Sequence, residues 1–165
     1  ARKKAENYLE YLGKHDVLTK LYNRTFYTEE INRLERSIQR PVSCIFIDLN
    51  GLKDINDNYG HDAGDEQLRR IGNLLNQLIQ HTQYSASRIG GDEFVILLPN
   101  ADEASLQTSL NSLQELMHID NQYHSLHPIS LSIGSASTLP NERIEDLLKR
   151  ADALMYEQKK KYYAC

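Results

Sequence analysis

The chain has 165 residues, 40% of them hydrophobic and 25% charged, which suits one soluble globular domain with a real core. A net charge of −4 argues against a dedicated nucleic-acid binder, which carries a basic stripe, and no apolar run approaches the length of a bilayer span. Cys44 lies in an apolar run and Cys165 is the last residue, so a disulfide framework is excluded and a reducing cytoplasm is the expected setting.

Residues 1–12 carry Ala5, Tyr8, Leu9 and Leu12 at helical spacing, with Gly13 as the expected stop. This polar start is unlike a secretory signal. So short an amphipathic helix has little to pack on. It reads as a linker or signalling helix over 1–13 leading from an upstream sensory domain into a domain over 14–165; the alternative is an ordinary terminal helix. Asn23 is a good N-cap, and Tyr27, Ile31, Leu34 and Ile38 predict a helix to about Arg40, stopped by Pro41. Val42 to Leu49 is a continuous apolar run, hence a buried central strand. A short helix around 51–58 and a longer one from Gly64 to about Gln80 follow. Tyr84–Ile89 and Phe94–Leu98 flank Gly90-Gly91-Asp92-Glu93, which predicts a hairpin with glycines supplying positive φ. Leu106, Leu110, Leu113 and Met117 mark another helix, Ile129–Ser137 a strand, and Ile144, Leu147, Leu148, Ala151 and Met155 the final helix. This order predicts an α/β (α+β) sandwich, a largely antiparallel sheet flanked by helices.

Asp48 puts an ionisable group at the end of what should be the most buried strand, where charge is costly unless paired, hydrogen-bonded or metal-bound. Asp48 could instead cap the next helix, and Asp92-Glu93 could be a solvated turn. If the hairpin lies beside the central strand, however, three carboxylates converge and cannot all stay charged without a cation. Hard cations such as Mg²⁺ prefer such oxygen ligands and keep substrate phosphates in their shell. A polyphosphate ligand would also need that help from metal, since the protein is itself acidic. The pattern points to metal-assisted phosphoryl or nucleotidyl transfer.

The residues resemble the diguanylate cyclases, the family named for its Gly-Gly-Asp-Glu-Phe (GGDEF) motif. The resemblance begins at His15-Asp16-Val17-Leu18-Thr19-Lys20-Leu21-Tyr22-Asn23-Arg24, with Lys20 where glycine is usual. It continues through Ile47–Asp57, Tyr59–Asp65 and Arg88-Ile89-Gly90-Gly91-Asp92-Glu93-Phe94, then Ser132-Ile133-Gly134 and Arg150–Tyr156. One pentapeptide is weak evidence; blocks in this order over nearly the whole chain are strong.

The resemblance implies a five-stranded, largely antiparallel sheet similar to nucleotidyl cyclase and polymerase palm domains. It implies two Mg²⁺ (or Mn²⁺) per active site, held by Asp48, the Leu49 carbonyl, Asp92 and Glu93, with Asp92 and Glu93 the catalytic carboxylates. Asn56 and Asp65 would read guanine, whose N1–H and N2–H₂ donors adenine does not present; as a plainer alternative they are turn and N-cap residues. Gly51 and Leu52 N–H groups at a helix start suit phosphate oxygens, Lys53 and Lys159 would add charge, and His61 would order the guanine loop. The implied reaction condenses two GTP into cyclic di-GMP plus pyrophosphate in a homodimer with one GTP per domain. Neither nucleic acid nor membrane contact is expected of this segment, and the location is the cytoplasm, including as part of a larger, even membrane-anchored, protein. The rivals are a catalytically silent GTP-binding receptor domain and another purine nucleotidyl cyclase.

The sequence departs from the family at Asn50, where many members have aspartate, and at Tyr162-Tyr163, where many have Gly-Arg. His124-x-x-His127 has no further histidine or cysteine nearby and reads as a loop. Many members carry Arg-x-x-Asp shortly before the signature, where product binds and inhibits. Here that stretch is His81-Thr82-Gln83-Tyr84, lacking both arginine and carboxylate. Added cyclic di-GMP is therefore expected to leave the initial rate unchanged; strong noncompetitive inhibition in a rate assay would refute this.

Overall fold

The computed structural model describes residues 2–37 and 40–164. Strand β1 (Val42–Leu49) is buried along its whole length, as a central strand covered on both faces must be. Strand period then sorts its side chains. Val42, Cys44 and Phe46 face one hydrophobic cluster, and Ile45, Ile47 and Leu49 the other. Asp48, even-numbered, falls on the first face.

Antiparallel neighbours β3 (Glu93–Pro99) and β4 (Leu131–Ser137) flank β1, and β2 (Ser85–Arg88) completes the sheet order β2-β3-β1-β4. The resemblance implies five strands; beyond β2 the described residues add one isolated bridge. Tyr22 pairs with Ser87, donating its N–H to the Ala86 carbonyl and accepting from the Arg88 N–H, but the chain turns into a helix two residues later. The sheet has four strands.

Helices α2 (Arg24–Arg36) and α6 (Ile144–Ala164) cover the first face, burying Tyr27, Leu34, Leu147, Ala151 and Met155 against Cys44, Phe46, Val95 and Leu97. Helices α4 (His61–Ile79) and α5 (Glu103–Tyr123) cover the second through Leu68, Ile71, Leu75, Leu106 and Leu113. The short α3 (Leu52–Tyr59) joins β1 to α4. Asn23 caps α2 by accepting from the Phe26 N–H, and Asp102 caps α5 through the Ser105 N–H. Helix α2 ends at Arg36 rather than near Arg40; Ile38 lies outside the described residues.

Helix α1 (Arg2–Lys14) runs through Gly13 and buries none of its residues; Tyr8 and Leu9 stay exposed. His15 at its end stacks on Tyr11 at 4.0 Å and bridges to Tyr22, whose ring lies on Phe26. Lys20 adopts φ 62°, the left-handed region that glycine enters without strain and that costs a lysine about 1 kcal/mol. No helix among the described residues is long and apolar enough to cross a membrane.

Candidate active site

The antiparallel register places Asp48 directly opposite Glu93, and side chains directly opposite share a face. The Leu49 N–H donates to the Asp92 carbonyl at 2.9 Å, so the next residue of the hairpin is tied to the strand end as well. Asp48, Asp92 and Glu93 thereby offer ligand oxygens within 4.8 Å of one another, the cluster expected from the sequence. Asp48 is fully buried. Its Oδ2 accepts from Lys159 Nζ at 2.9 Å, whereas its Oδ1 has no hydrogen-bond partner. It does not cap the next helix: the N-cap of α3 is Gly51, with no side-chain cap.

Burial pushes the Asp48 carboxyl above the ordinary range; the Lys159 hydrogen bond opposes that rise and Asp92 adds to it. Burial raises Glu93 likewise, reinforced by Asp48 and Asp92. Crowded, desolvated carboxylates with one unsatisfied buried oxygen are what a hard cation relieves.

The hairpin differs from its expected form. Neither Gly90 nor Gly91 takes positive φ; among the described residues the glycines that do are Gly51, at 75°, and Gly60, at 91°. A Cβ on Gly91 would meet open space and one on Gly90 would only touch Glu93. The turn is held from outside instead. Arg88 donates to the Gly91 carbonyl through Nη2 at 2.8 Å and forms an ion pair with Asp16, itself fixed by the Thr19 N–H and hydroxyl. Arg24 donates to the Ile89 carbonyl at 3.0 Å. The His15–Arg24 segment therefore braces the acidic hairpin, a role its sequence gave no means of seeing because the partners lie far apart in the chain.

Around the rim, Asn56 lies on α3 with Oδ1 buried and unpartnered, folded over Gly64, where a Cβ would come within 1.8 Å of that oxygen. Gly64 is thus the residue on which the Asn56 amide rests. Asp65 is not an N-cap: α4 begins at His61 after Gly60, so Asp65 sits a turn inside the helix, half-buried. Lys53 and His61 are exposed. The Gly51 N–H, expected to face phosphate, donates to the Tyr163 hydroxyl at 3.0 Å. In the sequence, Tyr162 and Tyr163 mark only the departure from Gly-Arg. The available clue was spacing: Lys159 and Tyr163 are i, i+4 and share a helix face.

Asn50 pins the strand end: its Nδ2 donates to Ser130 Oγ, and its Oδ1 accepts from Ser132. An amide supplies both roles there. His127 packs edge-on to Tyr59 at 4.5 Å and His124 caps α5, in keeping with a loop.

A family model described as diguanylate cyclase, GGDEF domain, matches residues 13–163. The chain is 36% identical over 164 residues to diguanylate cyclase DgcM of Escherichia coli K12, covering 96% of this chain and 39% of that protein. It is 32% identical over 149 residues to diguanylate cyclase DgcS of Shewanella oneidensis, covering 87% and 49%. It therefore spans half or less of the length of these relatives. Among solved structures, the coiled coil and GGDEF domain of DgcB from Caulobacter crescentus, in complex with c-di-GMP, superposes with a TM-score of 0.82 at 23% identity, covering 96% of this chain and 86% of that one. The isolated GGDEF domain of TpbB from Pseudomonas aeruginosa superposes with a TM-score of 0.76 at 30% identity, covering 89% of each chain. With Asp92 and Glu93 of the signature joined by Asp48 in the acidic cluster, and the family match running over residues 13–163, the chain belongs to the diguanylate cyclase family defined by the GGDEF domain.

Proposed function

We propose that this chain is the catalytic domain of a diguanylate cyclase, condensing two GTP into cyclic di-GMP with release of one pyrophosphate from each. The observation that carries the proposal is the buried Asp48 carboxylate, with one oxygen unsatisfied, facing Asp92 and Glu93. A solvated turn or a surface ion pair has no use for such an arrangement.

The donor set fits a hard divalent cation, Mg²⁺ or Mn²⁺: Asp48 Oδ1, the Leu49 carbonyl, Asp92 and Glu93 would hold up to two. When bound, such ions supply activation of the 3′-hydroxyl of one GTP and charge stabilisation at the α-phosphate of the other. The chain's own residues do the rest. Asp92 would accept the proton released by the 3′-hydroxyl as it attacks, with Glu93 completing the acidic cluster. Asn56 and Asp65 would accept from guanine N1–H and N2–H₂, leaving an unpaired buried acceptor if adenine entered. The Gly51 and Leu52 N–H groups, with Lys53 and Lys159, would bind triphosphate oxygens. His61, beside the positive-φ Gly60, would shape the guanine loop.

One domain holds one GTP, so two must face each other for both 3′-hydroxyls to reach both α-phosphates. The exposed α1 would set that pairing as the end of a linker from an upstream sensory domain, in the cytoplasm. A chain dimerised through a fused zipper and given GTP and Mg²⁺ should form cyclic di-GMP, resolved by chromatography. Asp92→Ala in the same dimer should lose turnover and stay folded. GTP bound without product in the forced dimer would give the receptor reading instead.

A further inference from the structure

We propose that the last turn of α6 is a latch: the Tyr163 hydroxyl occupies the Gly51 amide that would receive a triphosphate oxygen, and must leave it for GTP to bind. The inference rests on the phosphate role proposed above for Gly51.

Three side chains on one face of α6 reach the site. Lys159 lies on Asp48 at 2.9 Å; one turn later Tyr163 takes the Gly51 N–H at 3.0 Å. The Tyr162 hydroxyl stands 3.3 Å from the point where a Cβ on Gly51 would lie. The two phenol rings brace each other edge to face at 4.9 Å. Both hydroxyls therefore converge on the one N-cap position of α3 that no side chain of its own satisfies.

The contact is competitive by its chemistry. An amide carries one hydrogen, and in this arrangement a phenol oxygen accepts it. A phosphate oxygen needs the same hydrogen, offered from the same left-handed Gly51 backbone. Release is also mechanically simple. The last buried residue of α6 is Met155, and Tyr162 and Tyr163 are 44% and 55% exposed. Lifting the final turn thus disturbs no core packing, and such helix ends open at low cost. At this position the chain holds an uncharged acceptor already seated on the amide proposed for the phosphate.

The test is calorimetric titration of the 165-residue chain with GTP and with guanosine, both in Mg²⁺, for wild type and Tyr163→Phe. Removing the hydroxyl frees the amide and keeps the ring. The latch predicts that GTP binds about 2- to 10-fold more tightly to the variant while guanosine is unaffected. It further predicts faster hydrogen exchange at the Gly51 amide in the ligand-free variant, with an unchanged unfolding transition. Equal or weaker GTP binding by Tyr163→Phe, in a wild type that prefers GTP to guanosine, overturns the latch and leaves the phosphate role of Gly51 standing. A Tyr163→Phe variant that binds guanosine as tightly as GTP overturns both.

Discussion

Asp48→Asn is expected to abolish cyclic di-GMP formation while making the metal-free domain more stable. The loss follows from the site. The substitution removes a carboxylate oxygen that is both buried and unpartnered. An amide oxygen holds a hard cation far less well. Losing several kcal/mol of transition-state stabilisation lowers turnover by about 10³-fold or more. The gain in stability follows from burial. A carboxyl whose pKa is raised on folding, as that of Asp48 is, contributes most below its unfolded value of about 4, and the contribution fades as pH rises through the folded value. At neutral pH the ionised group therefore opposes folding. Asparagine can turn Oδ1 to Lys159 and Nδ2 to the neighbouring acids, and Lys159, with 32% of its side chain exposed, reaches water if it lets go. A gain of about 1 kcal/mol, or about 2–4 °C in melting temperature, is expected at pH 7 and should vanish below about pH 4. Thermal melts in chelator across pH decide the matter. A lower melting temperature at pH 7 would show that the Lys159 pairing outweighs the desolvation of Asp48, and retained turnover would remove Asp48 from the metal site.

Gly134→Ala should cost the fold about 3 kcal/mol or more. Its Cβ would lie 2.1 Å from the Ala151 carbonyl oxygen and 2.2 Å from the Met155 nitrogen, both backbone atoms of α6. No rotamer change relieves a clash between backbones, so α6 must move off β4, at the upper end of what overpacking costs. The helix carries Leu147, Ala151 and Met155 into the core, and Gln158 accepts from the Ile133 N–H at 3.0 Å. It also delivers Lys159 to Asp48, so activity should fall with stability. Gly91→Ala is the internal comparison, because its Cβ meets open space; it should shift stability by less than about 0.5 kcal/mol. Urea unfolding of the two variants measures both. A Gly134→Ala midpoint matching wild type would mean that α6 yields freely. The Ser132-Ile133-Gly134 block then reads physically: the glycine permits the close helix–strand approach that aims the end of α6 at the site.

The elements whose signals are periodic were legible in the chain. β1 occupies Val42–Leu49 as its apolar run indicated, and the apolar faces of α4, α5 and α6 are those marked by their spacing. Boundaries set by caps were less so. Helix α4 starts at His61, because Gly60 at φ 91° breaks the chain there, and that conformation leaves no periodic trace. Gly90-Gly91 looked like a positive-φ turn, yet Arg88, Arg24 and Asp16 hold it without one.

By itself, the order of residues determined the fold class, the burial of β1 and the presence of three acids that matter together, since hydrophobic period and the oddity of a charge in a core strand are local properties. Tertiary structure alone decided that Asp48 faces Glu93 across a strand register, that one oxygen of Asp48 goes unsatisfied, and that Tyr163 sits on the Gly51 amide. Each of these depends on groups tens of residues apart meeting within hydrogen-bond reach, and no local pattern encodes that distance.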